Sequence, residues 1–226
     1  MKILALVGSP REGGNTELLV DEVIKGSVHN NDDNEFKKIF ISNLTILPCT
    51  GCMECRQTGK CDQEDDLSQL LEKINWSDVI ISASPVYGNH LPGHYKVLFD
   101  RLVGVMHKID NSVPGKLTTY SRLDKKKRNI GLIAVAGAPR ESSCDQVIGF
   151  MKRVFTPESN GGLLLEMRAI GLSAKGQLAM AEDQLAELAA KLSVPDKKQL
   201  VDKMRDRNEI YVQQAYKLGE QLGENA

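Results

Sequence analysis

Five short apolar runs, separated by segments of helical spacing, constrain this chain more than any other feature. Lys2–Val7, Phe36–Ile41, Asp78–Ala83, Asn129–Ala136 and Leu163–Ile170 are rich in Ile, Val and Leu, and Gly, Pro or Ser bounds them. Near-continuous apolar runs of that length predict strands buried on both faces. Between them, Leu19, Val20, Val23 and Ile24 share one helical face, as do Leu67, Leu70, Leu71 and Ile74. Tyr95, Leu98, Phe99, Leu102 and Met106 make a third such face. Strands alternating with helices predict an α/β fold, a parallel sheet covered by helices on both sides. Glu182–Leu192 then predicts a helix stopped by Pro195, and another follows from about Asp196. In it Leu200, Met204, Tyr211, Ala215, Leu218 and Leu222 recur at helical spacing, which reads as packing on the domain itself. No repeat or low-complexity linker interrupts the pattern. Residues 1–226 are therefore expected to form a single domain with a C-terminal helical extension at about 196–223.

Composition narrows the class. The 226 residues are 41% hydrophobic and 26% charged, ordinary for a soluble globular chain and long enough to fold without disulfide staples. A formal net charge of −1 argues against nucleic acid as a partner. No apolar run approaches a membrane span, and MKILALVGSP lacks the longer core and cleavage site of a secretory signal. A cytoplasmic protein without a membrane partner is expected, and there disulfides are unusual. The basic stretch Arg122–Arg128 reads as a solvated loop.

The first strand runs into GSPREGGNT, Gly8–Thr16, and then a helix. A strand, a small-residue loop and a helix N-terminus make an anion site, because free N–H groups and the helix dipole converge there. Gly14 stands where a nucleoside-triphosphate loop needs lysine, and the dinucleotide pattern G-x-G-x-x-G is absent. Ser9, Arg11, Asn15 and Thr16 remain, donors suited to a terminal phosphate monoester. Ser84–Asn89, SPVYGN, follows the third strand, and Ala136–Ser142 follows the fourth. All three loops are expected at the carboxyl ends of the strands, where open α/β sheets bind ligands.

Four of the five cysteines fall between residues 49 and 61. Cys49, Cys52, Cys55 and Cys61 read C-x2-C-x2-C-x5-C, open to three readings: a metal centre, a disulfide pair, or reactive thiols beside a cofactor. A cubane takes four thiolates, and this run lets one loop supply three with a later cysteine for the fourth. Structural zinc more often uses paired C-x2-C units separated by a dozen or more residues. Cys144 reads as a buried thiol, Trp76 as core, His90 and His94 as polar surface, and Asp65 and Asp66 as a helix cap.

GSPRxxGNT after the first strand with SPVYGN after the third resembles the NADPH-dependent FMN reductase family of flavodoxin-like proteins. The resemblance implies a doubly wound five-stranded parallel sheet of order 2-1-3-4-5 with helices on both faces. It further implies FMN, its phosphate held by Ser9, Arg11, Asn15 and Thr16 and its ring by Pro85, Val86, Tyr87, Gly88 and Asn89. The third loop matches in position only. The cysteine-rich loop at 47–64 is similar to that of the iron–sulfur flavoprotein branch. That implies a [4Fe–4S] cluster on Cys49, Cys52, Cys55 and Cys61, and a homodimer or homotetramer. The expected activity is an FMN-dependent oxidoreductase that moves electrons between a ferredoxin-like or NAD(P)H donor, the cluster and FMN, with no nucleophilic catalytic side chain. Two other readings remain open at this point: a cluster-free NAD(P)H-dependent FMN or quinone reductase, and a zinc-stapled binding module without turnover.

Overall fold

A computed structural model describes residues 1–29, 34–110, 112, 114, 116, 118–224 and 226. The strands are β1 (Lys2–Val7), β2 (Glu35–Phe40), β3 (Val79–Pro85), β4 (His107–Asp110), β5 (Thr118–Ser121), β6 (Asn129–Val135) and β7 (Leu164–Ala169). The helices are α1 (Asn15–Val28), α2 (Glu54–Thr58), α3 (Leu67–Trp76), α4 (Gly93–Met106), α5 (Asp145–Ser159), α6 (Glu182–Ala190) and α7 (Lys197–Glu224). The main sheet has the order β2-β1-β3-β6-β7 with every pair parallel. Renumbered by the five apolar runs, this is the flavodoxin-like order 2-1-3-4-5.

The pleat explains why the inner strands are apolar throughout. Ile3, Ala5 and Val7 of β1 face a layer with Leu19, Val20 and Val23 of α1 and Leu218 and Leu222 of α7. Leu4 and Leu6 face the other way, onto Leu70 and Ile74 of α3, Leu98 and Phe99 of α4 and Val147 and Met151 of α5. Burial on both faces leaves no position where a polar residue meets water.

The long C-terminal helix packs on α1 at backbone distance. A β-carbon on Gly26 would lie 2.0 Å from the Tyr216 carbonyl oxygen, and one on Gly219 would lie 2.1 Å from that of Val23.

Several expectations need correction. The run Phe36–Ile41 is not buried on both faces: β2 is an outer strand paired only with β1, and Phe36 is 57% exposed. A short antiparallel hairpin, β4 with β5, was not foreseen. Trp76 is half-buried rather than core, with Lys37 Nζ 4.2 Å from its ring centroid. Arg122–Arg128 is no free loop. Arg128 is buried and pairs with Asp124, Lys126 Nζ donates to Asp78 Oδ1 at 3.0 Å, and Arg122 Nη2 donates to the Arg56 carbonyl at 2.6 Å.

Candidate functional site

The loop after β1 is built on tight backbone closure. Gly8 N–H donates to the Ala83 carbonyl at 2.7 Å, which joins the loop base to β3. Gly14 N–H donates to the Arg11 carbonyl at 3.1 Å, and Arg11 N–H donates to Ser9 Oγ at 3.2 Å. Gly13 N–H donates to Glu17 Oε2 at 2.6 Å, and Lys38 Nζ donates to Glu17 Oε1 at 2.7 Å. Burial pushes the Glu17 carboxyl up, but these bonds outweigh it and hold the pKa below the ordinary value. His94 Nε2 lies 2.9 Å from the Gly8 carbonyl oxygen, so this histidine fastens α4 to the loop and is not the surface group expected.

Beside the loop lies a cavity of about 240 Å³, at the carboxyl ends of β1, β3, β6 and β7. Ser9, Arg11, Asn15 and Thr16 line one part of it and Pro85, Val86 and Tyr87 another. The structure thus brings together two stretches far apart in sequence. Ser9 and Thr16 are buried, whereas Arg11 is exposed at the mouth. The unpaired N–H groups of the first turn of α1 open at the same end, as at any helix start.

Asn15 plays a part that its sequence position did not reveal. Its Nδ2 donates to the Leu172 and Ala174 carbonyls at 3.3 and 2.7 Å, and its Oδ1 accepts from Leu178 N–H at 3.1 Å. The side chain therefore ties the start of α1 to the loop after β7. That loop supplies Leu172 and Ser173 to the cavity wall. Sequence reasoning missed both, although the rule that placed the other loops at strand ends applies equally to β7.

Gly88 and Asn89 do not line this cavity. They are the central residues of a tight turn with φ of +54° and +63°, closed by His90 N–H donating to the Tyr87 carbonyl at 3.0 Å. Positive φ at both positions is what a type I′ turn requires. Asn89 instead lines a second cavity with Ala138, Pro139 and Arg140. The loop after β6 is divided between the two, since Gly137 belongs to the first cavity.

Cys49, Cys52, Cys55 and Cys61 line one further cavity, of about 310 Å³. Cys49 and Cys52 are exposed, Cys55 and Cys61 half-buried, and all four are free thiols. Burial, and next the neighbouring thiols, push the Cys55 pKa up. Among the described residues, no group of three His, Cys, Asp or Glu side chains is placed to hold a single metal ion. The floor of this cavity is α4. Arg101 is buried there, its guanidinium paired with the buried carboxylate of Asp65. Asp65 also accepts from Leu47 N–H at 2.9 Å and from Leu67 N–H at 3.0 Å, so it is a clamp; the N-cap of α3 is Asp66, whose carboxylate accepts from Thr45 N–H at 2.7 Å rather than from the helix. Cys144 lies elsewhere, its thiol 3.6 Å from the Ala134 carbonyl and its pKa pushed up to about 11 by burial. From His94 to Arg101 is seven residues, roughly 10 Å along α4, so a single helix spans the interval between the loop and the cysteines.

The profile described as NADPH-dependent FMN reductase matches residues 1–122. The chain is 32% identical over 133 residues to an iron-sulfur flavoprotein of Archaeoglobus fulgidus, covering 58% of this chain and 60% of the relative. It is 39% identical over 101 residues to one of Methanocaldococcus jannaschii, covering 45% of this chain and 51% of the relative. These matches therefore span between about half and three fifths of the relatives' own lengths. Among solved structures, an azoreductase of Bacillus anthracis superposes with a TM-score of 0.66 at 11% identity, over 97% of this chain and 99% of its own. An NAD(P)H:quinone oxidoreductase of Methanothermobacter marburgensis gives 0.60 at 16% identity, over 98% of both chains. Those two likenesses establish the fold. With the loops after β1 and β3 both inside the matched span, this chain belongs to the NADPH-dependent FMN reductase family, and over part of its length it is similar to iron-sulfur flavoproteins.

Proposed function

We propose that this chain is an FMN-dependent oxidoreductase carrying a [4Fe–4S] cluster, and that it passes electrons between a small donor or acceptor, the cluster and the flavin. The observation that carries the reading is the joining of Ser9, Arg11 and Thr16 with Pro85, Val86 and Tyr87 around one strand-end cavity. Hydroxyls, a guanidinium and a helix start suit a phosphate monoester, and the adjoining apolar and aromatic loop suits a flat ring. Asn15 supports the phosphate side by holding the loop after β7. Gly88 and Asn89 serve by shaping the turn that presents Tyr87.

The donor set of the second site fits the cluster. Four cysteines line one cavity, no carboxylate or imidazole is interleaved among them from 49 to 61 except Glu54, and a buried guanidinium supplies an N–H to one sulfur. A cubane offers a separate iron to each thiolate, and Cys49, Cys52, Cys55 and Cys61 would hold it. The bound pair supplies coupling of one-electron to two-electron chemistry. The chain's own residues position both groups and set their surroundings.

Residues 1–226 are read as one such domain, with the cysteine loop at 47–64 and the tail at about 196–223 completing it. Cytoplasmic partners are proposed: a ferredoxin-like protein, NAD(P)H or a quinone. Tyr87 is 40% exposed beside the ring cavity, which favours a homodimer or homotetramer in which a neighbour covers that edge.

Anaerobic purification followed by iron, acid-labile sulfide and FMN assays tests the reading. It expects about four irons and four sulfides per FMN. Flavin without iron or sulfide would leave a cluster-free NAD(P)H-dependent FMN or quinone reductase. Stoichiometric zinc without flavin would leave a stapled binding module instead.

A further inference from the structure

α4 approaches two of the four cysteines in two different ways. Arg101 Nη2 donates to Cys61 Sγ at 3.1 Å. One turn on, a β-carbon at Gly104 would lie 2.5 Å from Cys55 Sγ, so the absence of a side chain leaves that sulfur its seat. The guanidinium itself cannot swing away. Its other nitrogen donates to the Leu47 carbonyl at 2.9 Å, the Asp65 carboxylate grips both nitrogens, and the side chains of Arg101 and Asp65 are 0% and 2% exposed. Leu47 and Asp65 are the two ends of the cysteine loop, so one cation joins both ends and one sulfur.

A buried cation aimed at a thiol, with a carboxylate partner already present, is more than a fastening of the loop. The pair Arg101–Asp65 satisfies itself, and the loop ends are already joined through Asp65 to Leu47 and Leu67. Nη2 then also reaches Cys61 Sγ at 3.1 Å and the Gln63 carbonyl at 3.5 Å, while the buried Nε has no partner among the described residues. Donors to a cluster's sulfur ligands favour the more negative, reduced form and so raise its potential. Resting on the cluster reading above, we infer that Arg101 is a positioning residue for the cysteine centre. It orients Cys61 as a ligand and raises the potential of the cluster through the Nη2–Sγ hydrogen bond.

The test compares anaerobically purified wild type, Arg101→Lys, and the paired variant Arg101→Gln with Asp65→Asn. Iron and sulfide per chain are measured, and then the midpoint potential of the iron signal by a redox titration followed by electron paramagnetic resonance. Lysine keeps the positive charge and the partner of Asp65 but lacks the fork that reaches Cys61 at the same time. Arg101→Lys is expected to load iron to the wild-type level and to titrate at a lower potential than wild type. The paired variant removes both charges together, which avoids an unpaired buried ion. It is expected to lose iron several-fold faster on exposure to chelator. A purely structural role would not move the potential of a fully loaded protein. Unchanged potential in Arg101→Lys, with loading equal to wild type, would overturn the inference while the cluster stands. If Arg101→Lys itself fails to load while the paired variant loads and titrates as wild type does, the inference is overturned as well. Wild type that holds flavin but neither iron nor sulfide sinks the cluster reading itself, and this inference with it, before any variant is compared.

Discussion

Gly8 and Tyr95 are in direct contact: a β-carbon on Gly8 would lie 2.1 Å from Tyr95 Cδ1. Tyr95 is fully buried, and its hydroxyl is 2.7 Å from Ser82 Oγ, so the ring cannot yield. The base of the loop after β1 is thus set by how closely β1 approaches the first turn of α4.

Gly8→Ala is therefore expected to force the loop outward. Overpacking of this kind costs about 1–3 kcal/mol, and here the neighbour is a fixed ring. The prediction is a lower urea midpoint and weaker FMN retention on gel filtration. An urea midpoint and flavin occupancy equal to wild type would show that the loop tolerates the methyl group.

The α1–α7 contact gives a second prediction, independent of any cofactor. Gly219→Ala places a methyl group 2.1 Å from the Val23 carbonyl and must part the two helices. A loss of about 1–3 kcal/mol is expected from overpacking. Gly149→Ala in α5 is the internal control, because nothing lies within 4 Å of the added carbon. There the gain in helix propensity predicts about 0.5–1 kcal/mol of stabilisation. A thermal midpoint of Gly219→Ala no lower than that of wild type would refute the close contact.

Particular residues show why some of this was legible in the sequence and some was not. Leu4 and Leu6 alternate with Ile3, Ala5 and Val7, and since both sets are apolar the run announces a two-sided burial that the sheet delivers. Ser9, Val86 and Tyr87 lie just past the ends of β1 and β3, and Thr16 in the first turn of the helix that follows β1, so the strand-end rule gathers them. Asn15 was legible as a polar residue at a helix start, but its bonds go to residues 172–178, a non-local partner that local pattern does not encode. Phe36 misled for the same reason: an apolar run does not say whether the strand has one neighbour or two. Arg101 reads in sequence as one more charge on an amphipathic helix. Only the burial of Asp65, thirty-six positions away, reveals it as a clamp.

The clamp predicts an asymmetric cost. Asp65→Ala leaves the Arg101 guanidinium buried without its carboxylate, and removing one member of a buried pair costs about 3–5 kcal/mol. Lys96 and Asp100, also on α4, form an ion pair that is far more exposed. Asp100→Ala is expected to cost no more than about 1 kcal/mol. Urea unfolding of the two variants beside wild type checks the contrast, and comparable losses would refute the clamp.

Arg11 offers a test of the phosphate assignment through ligand choice. Its guanidinium stands exposed at the mouth of the first cavity, where a phosphate would gain a charge-assisted bond and riboflavin would gain nothing. Such a bond is worth about 1.5–3 kcal/mol, so Arg11→Ala is expected to weaken FMN binding by roughly 10- to 150-fold. Riboflavin binding should be nearly unchanged. Fluorescence titration of both flavins into flavin-free protein checks this. Equal weakening for the two would place Arg11 away from the phosphate.

Glu17 links the same loop to pH. Burial raises its pKa, yet the bonds from Lys38 and the Gly13 amide prevail and lower it below the ordinary 4.5. A carboxyl with a depressed folded pKa binds fewer protons when folded than when unfolded. Its contribution to stability is therefore full above the unfolded pKa and is lost as pH falls through the folded one. Acidification from pH 5 towards 3 should weaken the protein in part through this group, as protonation removes the charge that Lys38 pairs with. In Glu17→Gln the neutral amide keeps an acceptor for Gly13 but does not titrate. The variant is expected to be less stable than wild type at pH 7 and to approach it as the pH falls, so the two stability curves converge at the acid end. Unfolding midpoints measured at half-unit steps between pH 3 and 7 decide the matter: parallel curves would mean that Glu17 carries no proton-linked stability.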